Sequence, residues 1–338
     1  MYEKDVVNVA RENGWFKGKD KDFDFQKAYN PYDFSGLRAC EARVWSFFRT
    51  FDKSMDKYKK HIMGDASEEP MPLYIIPDRK VSLADVREGM RNHYEGTELS
   101  MTNDPGAGAY KVPYRWRPMT FKSEGREYFN ERAIATQQTG FVLIAQMRSW
   151  LPDAVGGILW FGVDDANTAV LTPMYASITE IPECYRRGNG SMTEFSWTSA
   201  FWIHNWVANM AYNRYEPMIR DIRPVQKELE DSYVDLVKNT DAKALELLKS
   251  SPAQATAYLT EVCGKVANEA TARWKKLGEY LLVKYMDGNV KKEKDGKFEE
   301  NGYGQIVSPN FPGYSQEYYD QVAKSEEAKH LEVPKKDK

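Results

Sequence analysis

Ala133-Ile-Ala-Thr-Gln-Gln-Thr-Gly-Phe-Val-Leu-Ile-Ala-Gln-Met-Arg148 is the stretch on which the fold turns. It is rich in Ile, Val, Thr and Phe and bounded by charge, so it predicts a β-strand. Both of its alternating faces are largely apolar or neutral. The strand is therefore expected to be covered on both sides, as in stacked sheets with outer helices. Downstream, Gly157 to Val163 and Ala169 to Ile178 flank Asp164-Asp-Ala-Asn167, which reads as a turn. Three consecutive antiparallel strands are the expectation. Pro173 argues for a bulge in the third strand or a place at the sheet edge.

Outward from this centre the pattern is helical. Upstream, Met1 to Ser35 reads as a short amphipathic helix and then an extended loop through Asn30-Pro31. From Leu37 the apolar positions Ala42, Val44, Trp45, Phe48 and Phe51 predict a helix to about Lys60. Ser82-Leu-Ala-Asp85 is a capping-box start for a short helix that runs to Gly96. Thr97 to Pro118, with its prolines and glycines, predicts an irregular loop rich in Tyr and Arg. Beyond Gly190 the chain reads as helix almost to Met286, broken at Pro217 and Pro224. Ser251-Pro252 starts a new helix with a cap and a proline in its first turn. Leu259, Val262, Val266, Ala270, Leu277 and Leu281 give that helix its apolar stripe. The class is α+β.

Composition narrows the functions. The 338 residues exceed the usual single-core limit of roughly 250 to 300. Hydrophobic residues at 42% and charged residues at 29% are those of an ordinary globular protein. A net charge of -3 gives no field to recruit nucleic acid or an anionic membrane. No apolar stretch is long enough to span a bilayer, and Met1 to Asp20 lacks the apolar centre of a secretory signal. A soluble protein is expected, of unassigned compartment. Cys40, Cys184 and Cys263 are scattered, as are His61, His93, His204 and His330. They form neither a disulfide framework nor a zinc signature, so no metal and no cofactor are expected.

Four arrangements are candidates for chemistry. A cysteine nucleophile needs a base within hydrogen-bond reach. Cys40 sits near a helix start, but a buried helical cysteine is the commoner case. Ser191-Met-Thr-Glu194 after Gly188-Asn-Gly190 resembles a capping box and lacks the basic residue of a phosphate loop. The aromatics Phe195, Trp197, Phe201, Trp202, Trp206 and Tyr212 read as a core-facing helix. The polar run is more telling. Asn130-Glu-Arg132 leads into Thr136-Gln-Gln-Thr139, and polar side chains inside a covered strand need partners or face a cavity. Amide and guanidinium groups there would hold a substrate carboxylate or an oxyanion. A satisfied polar ladder between strands is the structural alternative.

At these residues the sequence resembles the N-terminal-nucleophile cysteine dipeptidases of the dipeptidase A type. The resemblance lies in Arg91-Asn-His-Tyr-Glu-Gly-Thr97, Tyr114-Arg-Trp-Arg-Pro118, Asn130 to Gly140, Gly156-Gly-Ile-Leu-Trp-Phe-Gly-Val-Asp164 and Gly188-Asn-Gly-Ser-Met-Thr-Glu-Phe-Ser-Trp197. It implies an αββα sandwich and hydrolysis of dipeptides by a cysteine at the mature N-terminus. There the free α-amine, with a pKa near ~8, takes the thiol proton at neutral pH. This chain begins Met1-Tyr-Glu-Lys, which presents no such nucleophile. The expectation is that the front segment of the same protein, with the cysteine and the first strands, precedes residue 1, and that the chain alone does not cut.

On that reading residues 1–190 are part of the hydrolase core, 191–290 a helical region packed on it, and 291–338 an extension mobile at its last residues. The resemblance puts Asn130 and Arg132 near the catalytic centre and Gln137 or Gln138 on the substrate. Tyr114, Arg115 and Trp116 would line the cleft and bind a terminal carboxylate, with a structural brace as their alternative role. His93 and Glu95 fall in a matching block with no assigned role. The expected partner is a dipeptide, and a homo-oligomer is left open. The rival function is a noncatalytic peptide-binding or interaction protein on the same scaffold.

Overall fold

The computed structural model describes residues 3–116, 118–305 and 310–334. Met1 and Tyr2, on which the expectation of an absent nucleophile bears, and residues 335–338, expected to be mobile, lie outside the described residues. The chain divides into two compact units, Met1–Leu99 with Trp116–Ile134, and Ser100–Arg115 with Ala135–Lys338.

In the first unit α1 spans Val6–Glu12 and α2 Phe25–Tyr29. A short turn, α3 (Phe34–Gly36), runs through a π-helical turn, Leu37–Glu41, into α4 (Ala42–Phe51). The wider turn carries Leu37 and Ala39 into the core and leaves Cys40 exposed, not buried as expected. Asp52 ends α4 early, because its carboxylate accepts from the Ser54 backbone N–H at 2.8 Å. A 3-10 stretch, Lys53–Tyr58, and α5 (Lys59–Ile62) follow. Trp45, fully buried, donates its indole N–H to the Met55 carbonyl at 2.8 Å.

The predicted capping box of Ser82 and Asp85 starts α6 (Leu83–Met90). That helix stops well before Gly96. The Asn92 and Glu95 side chains accept the backbone N–H groups of Tyr94 and His93, each at 2.7 Å, in place of helical carbonyls. Strands β1 (Thr120–Ser123) and β2 (Arg126–Phe129) form a hairpin. Its two turn residues, Glu124 and Gly125, have φ of 49° and 74°, as a tight turn matched to strand twist requires.

The second unit carries the predicted meander. Strands β3 (Phe141–Met147), β4 (Gly157–Val163) and β5 (Thr172–Tyr175) pair antiparallel in that order, with a helical turn α7 (Asp153–Gly156) before β4. Phe141 faces Val163, and Trp160 faces Pro173 on the edge strand β5. Three long helices follow: α8 (Ala200–Asn213), α9 (Tyr215–Leu248) and α10 (Pro252–Lys284). A small hairpin of β6 (Glu293–Lys294) and β7 (Lys297–Phe298) precedes α11 (Gln316–Lys324). The fold class is mixed α+β.

Ser251 caps α10 by accepting the Gln254 N–H, and Leu259, Val266, Ala270, Leu277 and Leu281 are buried along it. Gly278 lets α8 and α10 approach closely: a Cβ there would lie 2.4 Å from the Trp206 ring. Arg148, just past β3, pairs with Asp241 of α9, whose Oδ1 also accepts the Tyr175 hydroxyl at 2.6 Å.

Five further expectations are corrected. Strand β3 begins at Phe141 and not Ala133, because Thr136 to Thr139 close a turn, with the Thr139 N–H on the Thr136 carbonyl at 2.9 Å. Gln137 and Gln138 thus stand on a turn. Nor is β3 covered on both faces. Val142 is buried, but Phe141 and Met147 are each 62% exposed, since the core forms on the Val142, Ile158 and Trp160 side.

Pro224 lies inside α9 without breaking it. One lost hydrogen bond costs less than the packing of so long a helix returns. Ser191 and Glu194 close a small turn of their own, the Ser191 N–H on the Glu194 carbonyl at 2.9 Å, and helix resumes only at Ala200. The core face of α8 is Ala200, Ile203, Val207, Ala208 and Ala211, joined from the aromatic series by Tyr212. Phe195 and Trp197 are exposed ahead of the helix.

Candidate functional site

A row of polar side chains crosses the second unit where the start of β3, the end of β4 and the middle of α8 meet. Gln137 donates its amide to Asn209 Oδ1 at 3.1 Å. Asn209 donates to Asn205 Oδ1 at 3.0 Å, and Asn205 donates to Asp164 Oδ1 at 2.8 Å. Asn205 and Asn209 stand one turn apart on the same face of α8, so their amides align. Every donor points the same way. Such a chain polarises toward its carboxylate end.

Asp164 terminates β4 in the left-handed region, φ 66°, and is 1% exposed. Its backbone N–H extends the ladder to the Gly140 carbonyl at 2.9 Å, which fixes Asp164 beside the Gln137 turn. Its Oδ2 has no hydrogen-bond partner among the described residues. Burial pushes the carboxyl up to about 7, the Asn205 hydrogen bond acts against that rise, and the charge of Asp165 adds to it. Near neutrality Asp164 therefore exists in both protonation states. It is a carboxyl able to hold or release a proton.

The turn is braced from below. Asp165 accepts from the Thr168 N–H and hydroxyl at 3.0 and 2.9 Å and from the Tyr212 hydroxyl at 3.1 Å. Gln226 of α9 donates to the Ala169 carbonyl at 2.6 Å, and Glu230 accepts the Leu171 N–H at 2.9 Å. The backbone under Asp164 is thereby fixed by side chains of two helices.

Beside the row lies a cavity of about 330 Å³. Phe161 and Val163 of β4 form one side, Tyr185 and Trp202 others, and the loop from Arg186 to Met192 makes its rim. Val163 directly precedes Asp164, and Phe201, which also lines the cavity, stands one helical turn before Asn205.

The sequence-predicted residues divide between the units. In the second, Gln137 belongs to the row and Gln138 is exposed beside it on the turn. Tyr114 is buried and packs edge-on against Tyr212, with ring centroids 6.0 Å apart. Arg115 donates to the Met101 carbonyl and to Asp104, each at 2.6 Å, and to the Val112 carbonyl at 3.2 Å. That is the geometry of a loop brace.

In the first unit Trp116 is 77% exposed. Asn130 donates its amide to the Pro118 carbonyl at 2.9 Å. The Arg132 carbonyl accepts the hydroxyl of the buried Tyr94 at 2.8 Å, while its guanidinium is exposed. His93 is buried, with Nδ1 3.3 Å from Glu95. Burial raises the Glu95 carboxyl, but the hydrogen bonds and charge of His93 outweigh it and hold the group below the usual range. Sequence reading missed Asp164, Asn205 and Asn209. The two asparagines did carry a signal, amides four residues apart in an otherwise apolar helix.

Two cysteines are poor nucleophiles. Cys184 and Cys263 are buried, and burial pushes both thiols up to about 11. Cys40 is exposed, and its sulfur has the Arg43 guanidinium at 4.0 Å. Among the described residues no group of three or more His, Cys, Asp or Glu is placed to hold a metal, and no helix is long and apolar enough to cross a membrane.

Comparison with known proteins puts the chain in a class, the peptidases. The model of Peptidase family C69 matches residues 1–228, and the chain belongs to that family. The chain is 26% identical over 287 residues to a protein named probable dipeptidase B from Lactococcus lactis subsp. lactis (strain IL1403), covering 83% of this chain and 52% of that one. It is 26% identical over 245 residues to a probable dipeptidase of Latilactobacillus sakei, covering 67% and 46% respectively. A probable dipeptidase B of Streptococcus pyogenes serotype M1 is 22% identical over 291 residues, 85% of this chain and 53% of that one. The chain spans about half the length of the curated relatives it matches.

Proposed function

We propose that the chain is the substrate-holding part of a dipeptidase of the N-terminal-nucleophile type, an αββα sandwich when whole, whose nucleophilic cysteine lies outside these residues. The observation that carries the reading is the row from Gln137 to Asp164 in a member of a peptidase family. Amide groups in line match the alternating donors and acceptors of a peptide backbone, and the carboxyl at the end exchanges a proton near neutral pH. The burial of Cys184 and Cys263 supports placing the nucleophile elsewhere.

On this reading the terminal α-amine takes the thiol proton and the thiolate adds to the scissile carbonyl. The C–N bond then breaks, the leaving amine takes a proton, and water cleaves the thioester to free the second product. Gln137 and the exposed Gln138 hold the substrate backbone. Arg132, whose guanidinium is not committed to any described neighbour, stabilises the oxyanion or a substrate carboxylate, with Asn130 beside it in sequence holding the loop. Tyr114, Arg115 and Trp116 shape the region in which their loop lies. Residues 1–190 make up the core, 191–290 its helical region and 291–338 an extension.

The test joins the chain to the front segment carrying a terminal cysteine and measures dipeptide hydrolysis. Activity abolished by iodoacetamide and by Cys→Ser at that terminus is expected, with none from the chain alone. Dipeptide binding without turnover in the completed protein would instead establish the noncatalytic reading.

A further inference from the structure

The cavity beside Asp164 has a chemistry that the general reading does not specify. Phe161, Val163, Tyr185 and Trp202 give it aromatic and aliphatic sides, and its volume of about 330 Å³ lies at the small end of ligand sites. Its rim carries two cations, Arg186 and Arg187. Both are exposed, and neither guanidinium has a hydrogen-bond or ion-pair partner among the described residues. The nearby carboxylate of Glu183 is engaged elsewhere, accepting from the Asn189 amide at 2.9 Å and the Thr198 hydroxyl at 3.3 Å.

The rim is built before any ligand arrives. Gly190, with φ 80°, sits against Trp202: a Cβ there would lie 2.9 Å from the indole ring and 3.0 Å from the Glu194 carbonyl. The Trp202 indole N–H donates to the Ser191 carbonyl at 3.0 Å, and Asn189 Oδ1 accepts from the Ser196 and Thr198 hydroxyls at 2.6 and 3.0 Å. A rim pinned on both sides of Gly190 keeps the aromatic sides apart and spares a ligand the cost of ordering them.

We infer that this cavity takes the C-terminal residue of the substrate dipeptide when that residue is bulky and apolar or aromatic, with its free carboxylate on Arg186 and Arg187. The assignment rests on the dipeptidase reading and narrows it to a substrate class. A side chain alone would need no cations, and a carboxylate alone would need no aromatic sides. The exposed end of the nearby row, Gln137 and Asn209, then receives the peptide group of the same ligand.

Calorimetry on the chain with glycyl-L-phenylalanine, its C-terminal amide and glycylglycine tests this directly. The free acid is expected to bind at least about tenfold more tightly than either of the others, a charge-assisted pair being lost in one and the ring in the other. In the Arg186→Gln/Arg187→Gln double variant, which changes only exposed side chains, acid and amide should bind alike while the preference for the ring persists. Equal binding of acid and amide to the unaltered chain, equal binding of the two dipeptides, or no binding at about millimolar peptide overturns the inference. The two readings separate in the completed protein. Turnover of dipeptides without preference for a C-terminal aromatic residue removes this inference and leaves the dipeptidase; acid-dependent binding without any turnover does the reverse.

Discussion

Arg132 presents two ends with opposite commitments. Its carbonyl is tied down by Tyr94, itself buried at φ 66°, while its guanidinium stays exposed. A fixed backbone under an unengaged cation suits a group that meets a developing negative charge. If the proposed dipeptidase reading holds, Arg132→Gln in the chain joined to a segment with a terminal cysteine is expected to lower kcat/KM by about a hundredfold with an unchanged melting temperature, read by steady-state kinetics and calorimetry. An unchanged kcat/KM would remove Arg132 from the site. Asp164 makes a separate prediction. A carboxyl raised to about 7 in the fold binds its proton more tightly there than in the unfolded chain, so its contribution is present at low pH and lost as pH rises through that value. Asp164→Asn, which keeps an acceptor for Asn205, should match the parent near pH ~4 and exceed its stability by roughly 2–4 kcal/mol at pH ~8, measured by urea unfolding. The sequence displayed Asp164 only as a turn residue between strands. What makes it a site is burial under helices α8 and α9, brought from dozens of residues away.

The elements were legible where a local signal settled them. Ser82 with Asp85, and Ser251 with Pro252, start helices at the predicted residues, because a cap is a contact between near neighbours in sequence. The meander could be read too, since apolar runs around Asp164 leave few other pairings. Exposure was not legible. Phe141, Leu143 and Met147 have the composition of a covered face, and whether anything lies on it is decided by the packing of distant helices. Tyr114 and Arg115 had two readings, cleft or brace, and only the positions of Tyr212, Met101 and Asp104 distinguish them. The contact of α8 with α10 gives an element-level prediction. Gly278→Ala puts a methyl group 2.4 Å from Trp206, and should cost about 1–3 kcal/mol and lower the melting temperature, with Trp206→Ala in the same chain recovering part of the loss from this clash.

Across the whole second unit two buried groups set opposing pH dependences. His204 is stacked on Trp274 with ring centroids 5.2 Å apart, and burial lowers it to about 4 although the Ala200 carbonyl acts in the other direction. The unfolded chain binds that proton more readily, so stability falls as pH drops from the ordinary histidine value toward ~4. Asp164 gains stability over the same interval. A His204→Phe variant should therefore lose less stability than its parent on acidification, the reverse of the trend for Asp164→Asn, and parallel slopes for parent and variant would show that His204 is not held neutral. The Arg148–Asp241–Tyr175 junction carries a consequence of another kind. Its ion pair joins residues 93 apart in sequence and its Tyr175 hydrogen bond residues 66 apart, so long loops must close before either can form. Such contacts belong to the late side of the folding barrier. Asp241→Asn, by weakening them, should quicken unfolding in stopped-flow measurements and leave the refolding rate almost unchanged. The junction then acts as a latch on the finished unit, governing how long it stays folded rather than how fast it gets there.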